Sequence, residues 1–232
     1  MEIHNKGTEL FDNYSVNYDD VLNQSISISG EKKEYFAEKR IAHLASQLAS
    51  MNYKVTSILD FGCGTGSATP YLTQYFPGAK IVGVDVSAKS VEIAQSLYGN
   101  ASFFRSDDYH PKIEFDLVFC NGVFHHIPLE EREKSVKYVE DSLRNGGYFA
   151  FWENNPWNPG TVYIMKNTPF DKDAITLNPL QSMNLLRKSG FEIISSDFLF
   201  FFPKMLAKLR FFEKYMKFIP FGAQYGILAK KR

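Results

Sequence analysis

The sequence predicts a doubly wound α/β domain, and three observations carry that prediction. Short apolar runs alternate with helical stretches through the middle of the chain, a glycine-rich turn follows the first run, and an acidic residue ends the second. Ile58, Leu59 and Phe61 supply the first strand, within 55–61. Gly62, Gly64 and Gly66 then let the backbone turn tightly and approach a ligand without a Cβ in the way. A helix is expected over 67–76, with Ser67 or Thr69 as cap and Pro70 in the first turn, where its missing N–H costs nothing. Its free N–H groups would face the same ligand. The second strand, 80–85, ends in Asp85, nineteen residues past Gly66. An acid at about that separation grips a ribose hydroxyl pair in doubly wound nucleotide-binding folds.

The alternation continues with a helix over 87–97, strands over 101–105 and 115–120, a helix over 129–144 and a strand over 147–153. Right-handed crossovers then place the strands in one parallel sheet with helices on both faces. Two helical segments precede it, 8–24 and 32–50, the second with an apolar stripe at positions 36, 37, 41, 44, 45 and 48. Residues 1–50 are expected to form a helical cap on a single domain spanning 1–232. Residues 153–180 break the rhythm, with Asn154, Asn155, Pro156, Asn158 and Pro159 ahead of the stretch Thr168-Pro-Phe-Asp171. A long insertion on the ligand side of a sheet is usually functional, and this one is read as a substrate lid. A helix over 181–189 closed by Gly190, a strand over 191–202, a helix over 204–217 and a strand over 225–230 complete the chain.

Composition excludes several classes of function. The 26 basic and 26 acidic residues cancel, so no global field draws nucleic acid. No apolar run reaches the ~20 residues of a membrane span, and the first residues lack a signal-peptide core. Cytoplasmic residence is expected, with Cys63 and Cys120 as two reduced thiols close to the ligand cleft. The five histidines include no i,i+4 pair on a helix and no Cys-x-x-Cys occurs, so no metal constellation is expected.

Leu59-Asp-Phe-Gly-Cys-Gly-Thr-Gly66, with Asp85 after it, resembles the first two motifs of the class I S-adenosylmethionine (SAM)-dependent methyltransferases. Phe103-Phe-Arg-Ser-Asp107 is similar to their third-strand motif, the block from Phe115 to Ile127 to their fourth strand and substrate-side loop, and Leu143 to Phe151 to the turn and fifth strand beyond. The resemblance implies a Rossmann-like seven-stranded sheet of order 3-2-1-4-5-7-6 with strand 7 antiparallel, and SAM as the cofactor, leaving S-adenosylhomocysteine. The segments Glu153-Asn-Asn-Pro-Trp-Asn-Pro159 and Pro169-Phe-Asp-Lys-Asp-Ala174, with the aromatic C-terminal stretch, also resemble a bacterial subgroup associated with glycosyltransferases and surface polysaccharides.

The site residues follow motif by motif. The methionine end of the cofactor is expected against Gly62, Cys63, Gly64 and Gly66, with Asp60 at the ammonium and Tyr18 and Arg40 reaching its carboxylate. Asp85, followed by Val86, would hold the ribose, and Asp107 or the adjacent Asp108 would accept from the adenine amino group. Asn121 and Phe124 would face the methyl group, Phe124 lending an aromatic face to the sulfonium. For an alcohol acceptor a general base helps, and His125, His126 and Glu153 are the candidates, His125 ahead of its neighbour.

The acceptor is expected to be a small molecule or a lipid-linked sugar, methylated at oxygen ahead of nitrogen or carbon. Nucleic acid is disfavoured, because position 121 opens Asn-Gly-Val-Phe rather than the Asn-Pro-Pro-Tyr-type signature of enzymes that methylate bases. Two alternatives stay open: a SAM-binding sensor or partner protein without turnover, and an NAD-linked oxidoreductase. Ser67, where a dinucleotide loop wants a third glycine, speaks against the second. The basic, apolar segment 204–217 has two readings, a helix that covers the sheet, which is favoured, and a helix that lies on a membrane surface.

Overall fold

The computed structural model describes residues 12, 14, 15, 17–110 and 114–232. The expected helix 8–24 therefore lies partly outside the described residues, and its continuous described part is α1, Tyr18–Ser25. Seven strands form one sheet: β1 Ser57–Phe61, β2 Lys80–Asp85, β3 Ser102–Arg105, β4 Phe115–Asn121, β5 Leu143–Asn154, β6 Phe191–Leu199 and β7 Gln224–Lys231. Their order is β3-β2-β1-β4-β5-β7-β6. The first five pair in parallel and β7 runs antiparallel between β5 and β6, as the sequence predicts.

The helices are α2 Lys33–Ser50, α3 Thr69–Tyr75, α4 Ala88–Leu97, α5 Arg132–Ser142, α6 Pro159–Asn167, α7 Pro179–Lys188 and the single turn α8 Glu213–Met216. The stripe on α2 buries Ile41, Leu44 and Leu48, which pack with Leu72 of α3 against Ile58, Ile81 and Leu117 of the sheet. On the opposite face Val136 and Val139 of α5 and Leu186 of α7 pack against Leu59, Val118, Phe149 and Phe151. Central β4 is therefore apolar on both sides, and its first six residues are buried.

Among the boundaries that differ from the sequence reading, three bear on the site. Neither Ser67 nor Thr69 caps α3, since Ala68 holds that position and Thr69 is inside the helix. Helix α7 starts two residues earlier than its apolar pattern indicates, because Asn178 and Gln181 form a reciprocal capping box and Pro179 occupies the first turn. Strand β5 runs on through Asn154, pairing Glu153 with Tyr225, so the irregular segment starts at Asn155 and contains α6.

The segment 204–217 is the larger departure. It is not a sheet-covering helix: Lys204–Phe212 forms 3₁₀ turns broken at Leu206, only α8 is α-helical, and none of its residues is buried. The faces that such a helix would cover are already filled by α2, α3, α5 and α7. Among the described residues no helix is long and apolar enough to cross a membrane. Cys63 and Cys120 are both buried and unpaired.

Candidate active site

The main cleft, about 960 Å³, opens at the carboxyl ends of β1 and β4. The helix after β1 and the helix after β4 lie on opposite faces of the sheet, so the crevice sits at the topological switch point. Gly62 and Gly64 both adopt the left-handed region, at φ +74° and +51°. A Cβ on Gly62 would stand 2.3 Å from Val123 Cγ2, whereas one on Gly64 would point into open cleft. The first glycine is needed for packing and the second for ligand approach.

Four polar side chains surround this loop, Asp60 and Arg40 buried, Asp85 and Asn121 half-buried. Asp85 Oδ2 accepts from the Gly64 N–H at 2.8 Å and Oδ1 from the Ser87 N–H at 2.9 Å, which fixes the carboxylate and leaves lone pairs toward the cleft. Burial raises its pKa against those hydrogen bonds. Asp60 is pushed up to about 7, by burial first and the charge of Asp85 second. Its Oδ2 has no partner, and neither has Asn121 Oδ1. Arg40 donates from Nη1 to Gln224 Oε1 at 2.7 Å, but its Nε is unpartnered and burial lowers its pKa to about 9. Buried polar atoms are seldom left unpaired, and these orphans face one cleft. An ammonium would satisfy Asp60 and a carboxylate Arg40, while vicinal hydroxyls would meet the remaining lone pairs of Asp85, and SAM carries all three groups.

A second cavity of about 380 Å³ lies alongside. Tyr18, Arg40, Asn121, Gly122, His126 and Phe170 line both spaces and so form the wall between them. Tyr18 stacks on Phe170, with ring centroids 4.7 Å apart, which joins α1 to the segment after α6.

Behind the wall lies an ionic cluster. Glu153, 1% exposed, accepts from the Phe124 N–H at 2.8 Å through Oε1 and faces His125 Nδ1 at 2.5 Å through Oε2. Asp171 Oδ1 stands 3.6 Å from His125 Nε2 and 3.3 Å from His126 Nε2. Burial alone would lower the His125 pKa, but Glu153 and then Asp171 outweigh it and raise it to about 10. His126 is shifted the other way, by burial and by the neighbouring His125 charge. Asp171 is drawn down to about 2 by the two imidazoles despite its burial. His125, His126 and Asp171 bring ligand atoms within 4.8 Å of one another. We read them as an ion-pair clamp rather than a metal centre, because both ring nitrogens of His125 already face carboxylates.

The clamp makes stability depend on pH. The His125 contribution is full below its ordinary pKa of 6.5 and is lost as pH rises toward about 10. The Asp171 contribution is full above 3.8 and is lost as pH falls toward about 2. Thermal unfolding of the native protein and of His125→Gln should therefore differ most between about pH 4 and 6.5 and converge toward pH 10. A gap that stays constant up to alkaline pH would exclude the imidazolium.

The structure brings most of the expected residues to the cleft. Tyr18, Arg40, Asp60, Gly62, Cys63, Gly64, Asp85, Val86, Asp107 and Asn121 all line it. Gly66 does not, because its position is dictated by packing: a Cβ there would stand 2.8 Å from the Tyr98 ring. Asp107 lines the cleft beside Arg105, at 3.3 Å, and Asp108 does not. Phe124 is a correction. It is fully buried among Phe61, Phe149 and Phe151 and offers the cleft no aromatic face. Glu153 is a second correction, since both its oxygens are engaged and it touches neither cavity. His125 lines only the second cavity, as the middle of the clamp. Sequence reasoning missed Phe170, Asp171 and Gln224. The first two stand in the stretch marked as lid, but nothing local shows which of its side chains turn inward.

Residues 59–149 match a family described as a methyltransferase domain. Over 211 residues the chain is 26% identical to malonyl-[acyl-carrier protein] O-methyltransferase 1 of Ilyobacter polytropus, covering 85% of this chain and 74% of that one. It is 32% identical over 142 residues to trans-aconitate 2-methyltransferase of Escherichia coli, covering 60% of this chain and spanning 56% of that relative's length. Among solved structures, the plantazolicin methyltransferase BamL, in complex with a desmethyl analogue and S-adenosylhomocysteine, superposes with a TM-score of 0.68 at 17% identity, covering 99% of this chain and 97% of that one. A methyltransferase of Thermotoga maritima described as a possible histamine N-methyltransferase gives 0.66 at 19% identity, covering 97% and 100%. The glycine loop and Asp85, the strand order with its antiparallel β7, and these likenesses agree on a SAM-dependent methyltransferase domain, matched by the family over residues 59–149, with SAM as its cofactor.

Proposed function

We propose that the protein transfers a methyl group to a hydroxyl of a small-molecule or sugar-bearing acceptor, lipid-linked sugars included, in the cytoplasm. The observation that carries this reading is the pair of cavities with a shared wall, one with cofactor chemistry and one free for an acceptor. SAM, when bound, supplies an activated methyl on a sulfonium, released by in-line displacement as the bonding pair returns to sulfur. Everything else falls to the chain. Asp60 pairs with the ammonium, Arg40 and Tyr18 receive the carboxylate, and Asp85 accepts from the ribose hydroxyls. Asp107 accepts from the adenine amino group. Asn121 and Gly122 border the line between the cavities. His126 takes the acceptor's proton, because it lies on the shared wall and its lowered pKa keeps it neutral near pH 7. His125 and Glu153 position that loop and do not take the proton.

The described residues 17–50 serve as a helical cap on a single domain, and the lid proper runs from Asn155 to Leu180. Tyr18 against Phe170 is the contact by which cap and lid close over the acceptor and exclude water.

Calorimetry with SAM, S-adenosylhomocysteine and NAD tests the foundation. The first two should bind with micromolar affinity and NAD should give no heat. Heat from NAD alone would overturn the reading in favour of an oxidoreductase. Methyl transfer to no member of an acceptor panel of sugars, lipid-linked sugars and hydroxy acids, with normal SAM affinity, would favour a sensor or partner protein.

A further inference from the structure

We propose that residues 203–221 form a docking surface for an anionic lipid bilayer, and that the acceptor reaches the second cavity from that bilayer. The surface is unusual for its apolar content. Met205 is 88% exposed, Phe218 72% and Tyr215 69%, with Phe211 and Phe221 also exposed beside them. Large side chains scattered singly over a surface need no explanation, but this many within one short segment mark an interaction site. The segment makes its own broken 3₁₀ path instead of packing on the sheet, so its aromatic rings are presented outward.

Charge selects the occupant. The segment holds Lys204, Lys208, Arg210, Lys214 and Lys217 against a single acid, Glu213, in a chain whose net charge is zero. Glu213 faces inward, accepting from the N–H groups of Phe201 and Phe202. Arg210 is likewise used inside, in an ion pair with Glu31 at 2.8 Å. Among the described residues Lys204, Lys208 and Lys214 have no carboxylate partner, and Lys214 lies 4.7 Å over the Tyr215 ring. Aromatic rings interleaved with unpaired lysines suit the boundary between acyl chains and anionic headgroups. A second copy of the chain on the same face would bring cation against cation.

The surface borders the second cavity. Phe202, Pro203 and Arg210 line that cavity together with Ile28, which is itself exposed. The mouth would open at the membrane plane, where an amphipathic acceptor can keep its tail in lipid and extend its polar head inward. Docking rests on the surface alone; delivery of acceptor rests on the proposed methyl transfer.

Co-sedimentation with phosphatidylcholine vesicles, with and without phosphatidylglycerol, tests docking on the full chain. Binding should appear with phosphatidylglycerol, be weak without it, and fall with added salt. The variant Lys204→Glu/Lys208→Glu/Lys214→Glu should bind at least about a hundredfold more weakly, and Phe211→Ser/Phe218→Ser should bind detectably less. Both variants should keep native SAM affinity, which separates loss of docking from loss of fold. Equal sedimentation with both vesicle types, or none with either, would overturn the proposal. A dimer in analytical ultracentrifugation that the same variants dissolve, without vesicle binding, would assign the surface to a second copy. If vesicles bind but methyl transfer to membrane-borne acceptors is absent, docking stands and delivery fails.

Discussion

Asp85→Ala should weaken SAM binding by about 2–5 kcal/mol, roughly thirty-fold to several thousand-fold, the range for truncating one partner of a buried charged hydrogen-bonded contact. The size follows from how the carboxylate is mounted. Its two oxygens are held by the Gly64 and Ser87 N–H groups, so it is aimed before the ligand arrives and little ordering is left to do on binding. Its burial is unfavourable without a ligand, as the upward pKa shift records. A ribose diol would offset that cost. Truncation therefore removes both the acceptor and the anchor of the glycine loop. Calorimetry with SAM reads the affinity and a thermal melt without ligand reads the fold. Affinity unchanged within about twofold would sink the ribose assignment, since a contact of this class cannot be so cheap. Asp85→Asn, which keeps one oxygen for hydrogen bonding, should lose less.

What could be read in the sequence and what could not divides along the length of the interactions. Gly62, Gly64 and Asp85 were legible because local backbone demands fix them: two strand ends, a left-handed turn and an acidic tip lie within one βαβ unit. Sheet order was legible through the family motifs and the handedness of crossovers. The acceptor side depends on partners far apart in the chain. Arg40 is set by Gln224, 184 residues away, and His125 by Glu153, 28 residues away. No spacing rule encodes such pairs. Phe124 was misread for a related reason. It and His126 stand two residues apart in one 3₁₀ turn, and the way that turn rolls decides which side chain enters the core. The segment 204–217 has apolar residues enough for a buried stripe, but periodicity does not reveal that both faces of the sheet already have their helices.

His126→Gln should lower kcat by about 10²–10⁴-fold on a hydroxyl acceptor, the usual worth of a positioned general base, while SAM affinity stays within about twofold. The choice of His126 over His125 turns on protonation and place. His125 has a carboxylate at each ring nitrogen and stays an imidazolium at neutral pH, so it has no lone pair with which to accept. His126 lines both cavities and has its pKa lowered by burial and by the adjacent charge. The clamp thus has a chemical consequence: burial first and the His125 charge second hold His126 neutral. A base whose pKa is lowered is active above that pKa and loses activity as pH falls through it. The native kcat profile should then show an acid limb below the ordinary histidine value of about 6.5, and His126→Gln should erase it. His125→Gln removes the neighbouring charge, so its acid limb should persist and move to higher pH, with kcat near neutral pH falling less than in His126→Gln. A limb that survives in His126→Gln, or full turnover without this imidazole on a hydroxyl acceptor, would return the proton to solvent or to the acceptor itself and leave the loop a purely structural role.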